Sequence, residues 1–162
     1  MPRVVVVLPP TPLQTGDRFA VADWPLHITV LAPFLTDATP PVLRAALNEV
    51  CARPALTVTA GADALFGRRH DLPVTLVHDS APLTALHDAV AAALLPFAVN
   101  PAEPAFTGTE FHAHVTVKNH RRVHARDVLL LTQLALVDMA SRASAHGRTV
   151  LATLHLRGPA LD

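Results

Sequence analysis

Two short segments bring together side chains able to do acid-base chemistry: "HITV" at residues 27–30 and "HVTV" at 114–117. Each reads His, hydrophobe, Thr, hydrophobe. In a β-strand, residues i and i+2 share a face, so His27 would point with Thr29 and His114 with Thr116. Ile28, Val30, Val115 and Val117 would then turn to the core and fix the backbone beneath the polar pair. An imidazole titrates near neutral pH and can take or give a proton, and a hydroxyl beside it can donate a hydrogen bond to an anion. The chain holds ten histidines, so a bare His-x-Ser/Thr arises by chance about once. "HDS" at 78–80 is such a match, with Asp79 in its centre and a helix start behind it. Hydrophobic flanks in both other copies, one copy in each half of the chain, make the pair informative.

The elements needed to hold these groups are legible. "RVVVVL" (3–8) ends at Pro9 and predicts a buried first strand; "LHITVL" (26–31), bracketed by Pro25 and Pro33, predicts a short one. A helix is predicted over 39–53, with Thr39 as N-cap and Pro40 and Pro41 in its first turn. Strands over 55–66 and 72–79 are joined by the polar turn 67–70, and the clearest helix, 80–97, opens at Ser80 and Pro82. A Pro-rich connection (100–110) leads to "FHAHVTVK", and "RTVLATLHLRG" (148–158) reads as a closing strand. Residues 12–23 suggest a short helix, 119–127 a turn or short helix, and 129–140 fits helix or strand equally.

These observations predict one α+β domain over 1–162, built as two pseudo-symmetric lobes around a central cleft, each an antiparallel sheet with a packed helix. At 162 residues the chain can bury about two-thirds of its unfolded surface and needs no staples. No run of about 18 apolar residues is present, and prolines follow the first apolar run at once, so neither a membrane span nor a signal peptide is expected. Thirteen basic residues balance thirteen acidic ones, which removes the global field that would draw the protein onto duplex DNA or an anionic membrane. The lone cysteine, Cys51, excludes an internal disulfide, fits a reducing compartment and reads as a small buried hydrophobe. Cytoplasmic location is the expectation.

"PLHITVLAPF" and "FHAHVTVK", one in each half, resemble the paired His-x-Thr motifs of the two-histidine phosphoesterase superfamily, also labelled 2'-5' RNA ligase-like proteins. The likeness runs over nearly the whole chain in element order and size. It implies a shared cleft acting without metal or other cofactor on RNA-type phosphodiesters, most often 2',3'-cyclic phosphates. Carried over by position, His27 and His114 are the catalytic acid-base pair, and Thr29 and Thr116 bind the phosphate. The implied partner is an RNA terminus or small nucleotide, with hydrolysis favoured and 2'-5' ligation the reverse-sense alternative. A non-catalytic nucleotide- or RNA-binding module of the same fold is the rival reading; a monomer is the favoured state.

Three further residues are candidates for substrate binding. Lys118 shares the face of His114 and Thr116 and either extends the phosphate site or ends a strand in solvent. His112 lies on the same row. Trp24, the only tryptophan, either stacks on a base or packs against its lobe. Arg68, Arg69, Arg121 and Arg122 sit in turns, where charges are usually solvated. Phe34 and Phe111 are expected in the core. Of His112, His114, His120 and His124, the first two lie two apart on a strand and can chelate, but no Cys partner or helical HExxH supports a zinc site, and no metal is expected.

Overall fold

The computed structural model describes residues 2–107, 111–139 and 147–158. The end of the Pro-rich connection, 108–110, and residue 140, the last of the undecided segment, lie outside the described residues. The strands are β1 (Arg3–Leu8), β2 (Arg18–Phe19), β3 (Ile28–Leu35), β4 (Leu56–Phe66), β5 (Leu72–Val77), β6 (His114–Thr116), β7 (Val128–Leu131), β8 (Gln133–Asp138) and β9 (Arg148–His155). The helices are α1 (Pro40–Leu47), α2 (Ala81–Leu94) and the single turn α3 (Pro104–Thr107). The class is α+β, as predicted.

All pairings between these strands are antiparallel, in the order β2-β9-β8-β1-β3-β6-β5-β4-β7. The prediction of a separate sheet in each lobe is therefore corrected: one sheet runs through both halves, joined at the single pair Ile28↔Val115. Nor do the halves of the sheet follow the halves of the sequence, because β8 returns to lie beside β1 and β9 beside β8.

β1 reads as an unbroken apolar run because both its faces are covered. Val4, Val6 and Leu8 enter the main core, with Leu43 and Leu47 of α1 and Leu83, Leu86, Val90 and Leu94 of α2. Val5 and Val7 enter a second core on the other face, beneath Leu13 and Trp24. Ile28, Val30 and Val115 belong to the first core, so the helices lie on the face away from the two threonines and histidines. α2 starts as expected, with Ser80 Oγ accepting from Leu83 N–H at 3.2 Å. α1 stops at Leu47, short of the predicted 53, and the remainder continues as turn.

β3 continues past Pro33, where the prediction ended it. Its register against β1 shifts twice, skipping Ala32 and Pro33 and then Val30. A bulge is where a strand tolerates a residue without an N–H. The undecided segment proves to be two strands: only Thr132 separates β7, which pairs with β4, from β8, which pairs with β1. A single residue thus connects an outer strand of one half to an inner strand of the other, which requires the sheet to curl. β8 shows no alternation because Gln133 to Val137 are all buried. Residues 12–23, expected as a short helix, instead form β2 and a 3-10 turn, Val21–Asp23.

Among the described residues no helix is long and apolar enough to cross a membrane. Ile28 is fully buried at the seam of the sheet. Ile28→Ala should destabilise the fold by about 2–5 kcal/mol, by lost transfer energy plus the cavity left behind. Urea unfolding measures this; a loss under about 1 kcal/mol would mean that the seam repacks freely.

Candidate active site

The antiparallel pair Ile28↔Val115 is the centre of the site. One step along that register sets His27 opposite Thr116 and Thr29 opposite His114. With Ile28 and Val115 committed to the core, the four polar side chains leave from the other face, related by an approximate two-fold axis through the pair. The His-φ-Thr spacing thus acquires a partner across the sheet that no single strand could supply.

Each histidine is oriented in the same way. His27 Nδ1 donates to the Pro25 carbonyl at 2.8 Å, and His114 Nδ1 donates to the His112 carbonyl at 2.8 Å. A carbonyl only accepts, so the proton of each uncharged ring sits on Nδ1, and Nε2 is the nitrogen left to exchange protons. Among the described residues, neither threonine hydroxyl has an internal partner.

The two rings have different surroundings. His27 stacks on Trp24 with ring centroids 3.9 Å apart, while His114 meets the edge of Phe66 at 4.7 Å. Burial is the main reason that His27 titrates low, at about 4; Lys118, His114 and Arg148 push the same way, against the Pro25 carbonyl. Lys118 is itself held below the usual lysine range by burial, then by Arg148 and Arg121. Its Nζ lies 5.8 Å from the Trp24 ring centre, and Arg148 Cζ lies 5.2 Å from it. Two cations thus share the indole that backs His27.

A histidine kept neutral by the fold makes stability depend on pH. As pH falls from 6.5 toward about 4, the unfolded chain binds a proton at this position before the folded one does. Stability from this residue is complete above about 6.5 and declines below it, by up to about 3 kcal/mol. Urea unfolding from about pH 7 to about pH 4.5 should show a shallower acid loss for His27→Gln than for the wild type. Equal slopes would mean that His27 is not held neutral.

Trp24 is 5 % exposed, which leaves little ring surface for a nucleobase; the geometry is that of packing behind His27. Its loop is pinned by Arg121, which donates to the Ala22 and Trp24 carbonyls at 3.2 and 3.3 Å. Arg122 pairs with Asp63 and reaches buried Thr75. Arg121 and Arg122 thus brace the site from behind, while Arg68 and Arg69 lie exposed in the 67–70 turn. Cys51 is buried, which pushes its thiol up. Among the described residues no three His, Cys, Asp or Glu side chains converge as a metal-ligand set.

A cavity of about 240 Å³ opens beside the four residues. Thr29 and His114 line it, with His112, Phe66, His87 and Phe111 among the others. Phe34 fills core as expected, whereas Phe111 stacks flat on His87 at 4.2 Å and forms cavity wall. Phe66 and His87 carry no sequence signal: one ends a strand, the other sits on a helix that also carries the polar Thr84 and Asp88. His112 is exposed at the rim. Lys118 lies beyond the end of β6, bridged to Arg121 across a tight turn.

A curled antiparallel sheet with two facing His-x-Thr strands is the architecture of a two-histidine phosphoesterase. The chain belongs to the 2'-5' RNA ligase superfamily, whose family model matches residues 12–155. Among solved structures it is similar to the TT0787 protein of Thermus thermophilus (15% identity, TM-score 0.65, covering 96% of this chain and 98% of that one). It is also similar to E. coli LigT complexed with 3'-AMP (16%, TM-score 0.62, 97% and 99%) and to a protein described as a phosphoesterase (16%, TM-score 0.61, 97% and 99%). LigT has also been crystallised with ATP and with NADP+. No curated protein matches the sequence.

Proposed function

We propose that this protein is a metal-independent phosphodiesterase that hydrolyses 2',3'-cyclic phosphates, or related 2'-linked phosphodiesters, of RNA ends or small nucleotides. The observation that carries the reading is the cross-strand pair Ile28↔Val115, around which two imidazoles and two hydroxyls alternate, with each Nε2 and each hydroxyl unpartnered among the described residues. A tetrahedral phosphoryl group presents two non-bridging oxygens and an attack–departure line across them. Thr29 and Thr116 donate to the two oxygens, and the histidines stand at the two ends of the line.

The asymmetry between the rings supports a division of labour. His27, neutral at physiological pH, takes a proton from water as that water attacks phosphorus. The bond from phosphorus to one ribose oxygen breaks, and His114 protonates that oxygen through Nε2. The product is a phosphomonoester, and each ring then exchanges one proton with solvent. Lys118 lies on the His27 side and adds positive charge toward the anionic phosphate. The cavity lined by Thr29 and His114 has room for a nucleoside attached to it. Relatives that bind 3'-AMP, ATP and NADP+ make nucleotides the natural ligand class.

The test is turnover of adenosine 2',3'-cyclic phosphate in EDTA, beside 2'-5' linked dinucleotides, cyclic dinucleotides and cyclic-phosphate-ended oligonucleotides. Turnover of cyclic phosphates in the chelator supports the proposal, and loss of turnover to the chelator would replace it with metal-dependent chemistry. Binding without any turnover would identify a nucleotide- or RNA-binding module. Joining of a cyclic-phosphate end to a 5'-hydroxyl end would identify the ligase reading.

A further inference from the structure

The sheet divides just past its seam. β3 and β6 share only the pair Ile28↔Val115, so at Val30 β3 has already parted from the strand on that side. Val30 also falls where the register with β1 shifts. A strand carbonyl left by such a divergence needs a donor, and the donor comes from a helix: His87 of α2 places Nδ1 2.7 Å from the Val30 oxygen. Its ring is then fixed twice, by that hydrogen bond and by Phe111, which lies 4.2 Å away and 2° from coplanar. The same ring lines the 240 Å³ cavity with Thr29 and His114.

This places a polar atom of defined character in the wall. With Nδ1 donating to a carbonyl, the uncharged ring carries its lone pair on Nε2, an acceptor that the Val30 bond leaves unused. The remaining wall is mainly apolar or aromatic, including Ala32, Phe66, Pro104 and Ala105. An acceptor set among such groups orients a ligand more than it attracts one.

We propose that His87 is a specificity-determining residue whose Nε2 accepts a hydrogen bond from an N–H or O–H donor of the nucleoside held in this cavity. The proposal rests on the nucleotide reading above and adds to it the residue that selects the nucleoside. Two parts of a nucleoside carry suitable donors, the exocyclic amine of the base and the 5'-hydroxyl of the ribose, and the experiment separates them. His87 moves no proton in the reaction, so it should govern selection and leave the chemistry in place.

The experiment compares kcat/KM for three 2',3'-cyclic phosphates: of adenosine, of purine riboside, which lacks the amine, and of 5'-deoxyadenosine, which lacks the hydroxyl. Wild type should favour adenosine by about tenfold or more over whichever analogue lacks the donor that Nε2 meets. His87→Phe keeps an aromatic ring against Phe111 but has no nitrogen, and it should bring that ratio to about one. A role confined to bracing Val30 would lower all three values together and leave the ratio alone, which would overturn the proposal. Equal wild-type rates on all three would overturn it without any variant, so the test survives a variant that fails to fold. If wild type hydrolysed none of the three, the reading of small cyclic nucleotides as substrates would fail, and calorimetric binding of adenosine 2'-monophosphate and its two analogues would still read the His87 preference.

Discussion

His114→Ala should lower kcat/KM toward adenosine 2',3'-cyclic phosphate by about 10²–10⁴-fold, and His27→Ala by a similar amount. His114 opens β6 and His27 immediately precedes β3, their core-facing neighbours Val115 and Ile28 are untouched, and both residues are half-buried. Alanine should therefore remove the proton-transfer groups without dissolving the sheet seam, and the far-ultraviolet dichroism should be that of wild type. The double variant should be little worse than either single one, since a base without its acid partner leaves the departing oxygen unprotonated. Thr29→Val and Thr116→Val remove a donor to the phosphoryl oxygens at nearly constant volume and should cost kcat about 10²-fold or more each. Wild-type rates in both histidine variants would defeat the two-histidine mechanism outright.

The second large effect concerns pH. The acid limb of kcat/KM reports the base of the free enzyme. With an ordinary value near 6.5, only about 3 % of a catalytic imidazole is unprotonated at pH 5; with the value of about 4 that burial imposes on His27, about 90 % is. Activity relative to its maximum should thus be about 30-fold higher at pH 5 than for an unperturbed base, and the limb should fall only near pH 4. The same measurement tests the assignment of roles. If His27 were the acid instead, its protonated form would be scarce above about 4, and kcat/KM would decline steadily as pH rises from there. Stability also falls over this range, so rates should be taken at temperatures where the folded fraction is unchanged.

These expectations depend on features that differ in how far the sequence revealed them. β1, β4, β5, β9 and α2 follow from apolar runs, alternation, proline positions and the Ser80 cap, all local signals. The segment 129–140 was undecidable because β8 is buried on both faces, which removes alternation, and because Thr132 alone marks a change of sheet neighbour. The sequence predicts too long an α1 because its apolar positions continue into the turn, where Val50 and Cys51 still reach the core. Pro33 reads locally as a strand end, whereas a bulge carries β3 past it.

The four polar residues of the candidate site were selected by residue type and by the two-residue period of a strand, both local properties. Only the tertiary structure set them opposite one another, because one cross-strand pair, Ile28↔Val115, fixes the register between segments 87 residues apart. It also made the two histidines unequal. His27 sits against Trp24 with Lys118 and Arg148 nearby, His114 beside Phe66, and a proton's cost depends on desolvation and neighbouring charge. Of the two roles open to Trp24, its burial favours packing support, and Phe66, His87 and Phe111 line the cavity wall. The sequence by itself determined which groups are able to move protons and hold a phosphate, since that is a property of residue types in a strand. Which of them face each other, which is neutral and what lines the space between them was decided by long-range packing, through a sheet that curls, pairs at one point and then divides.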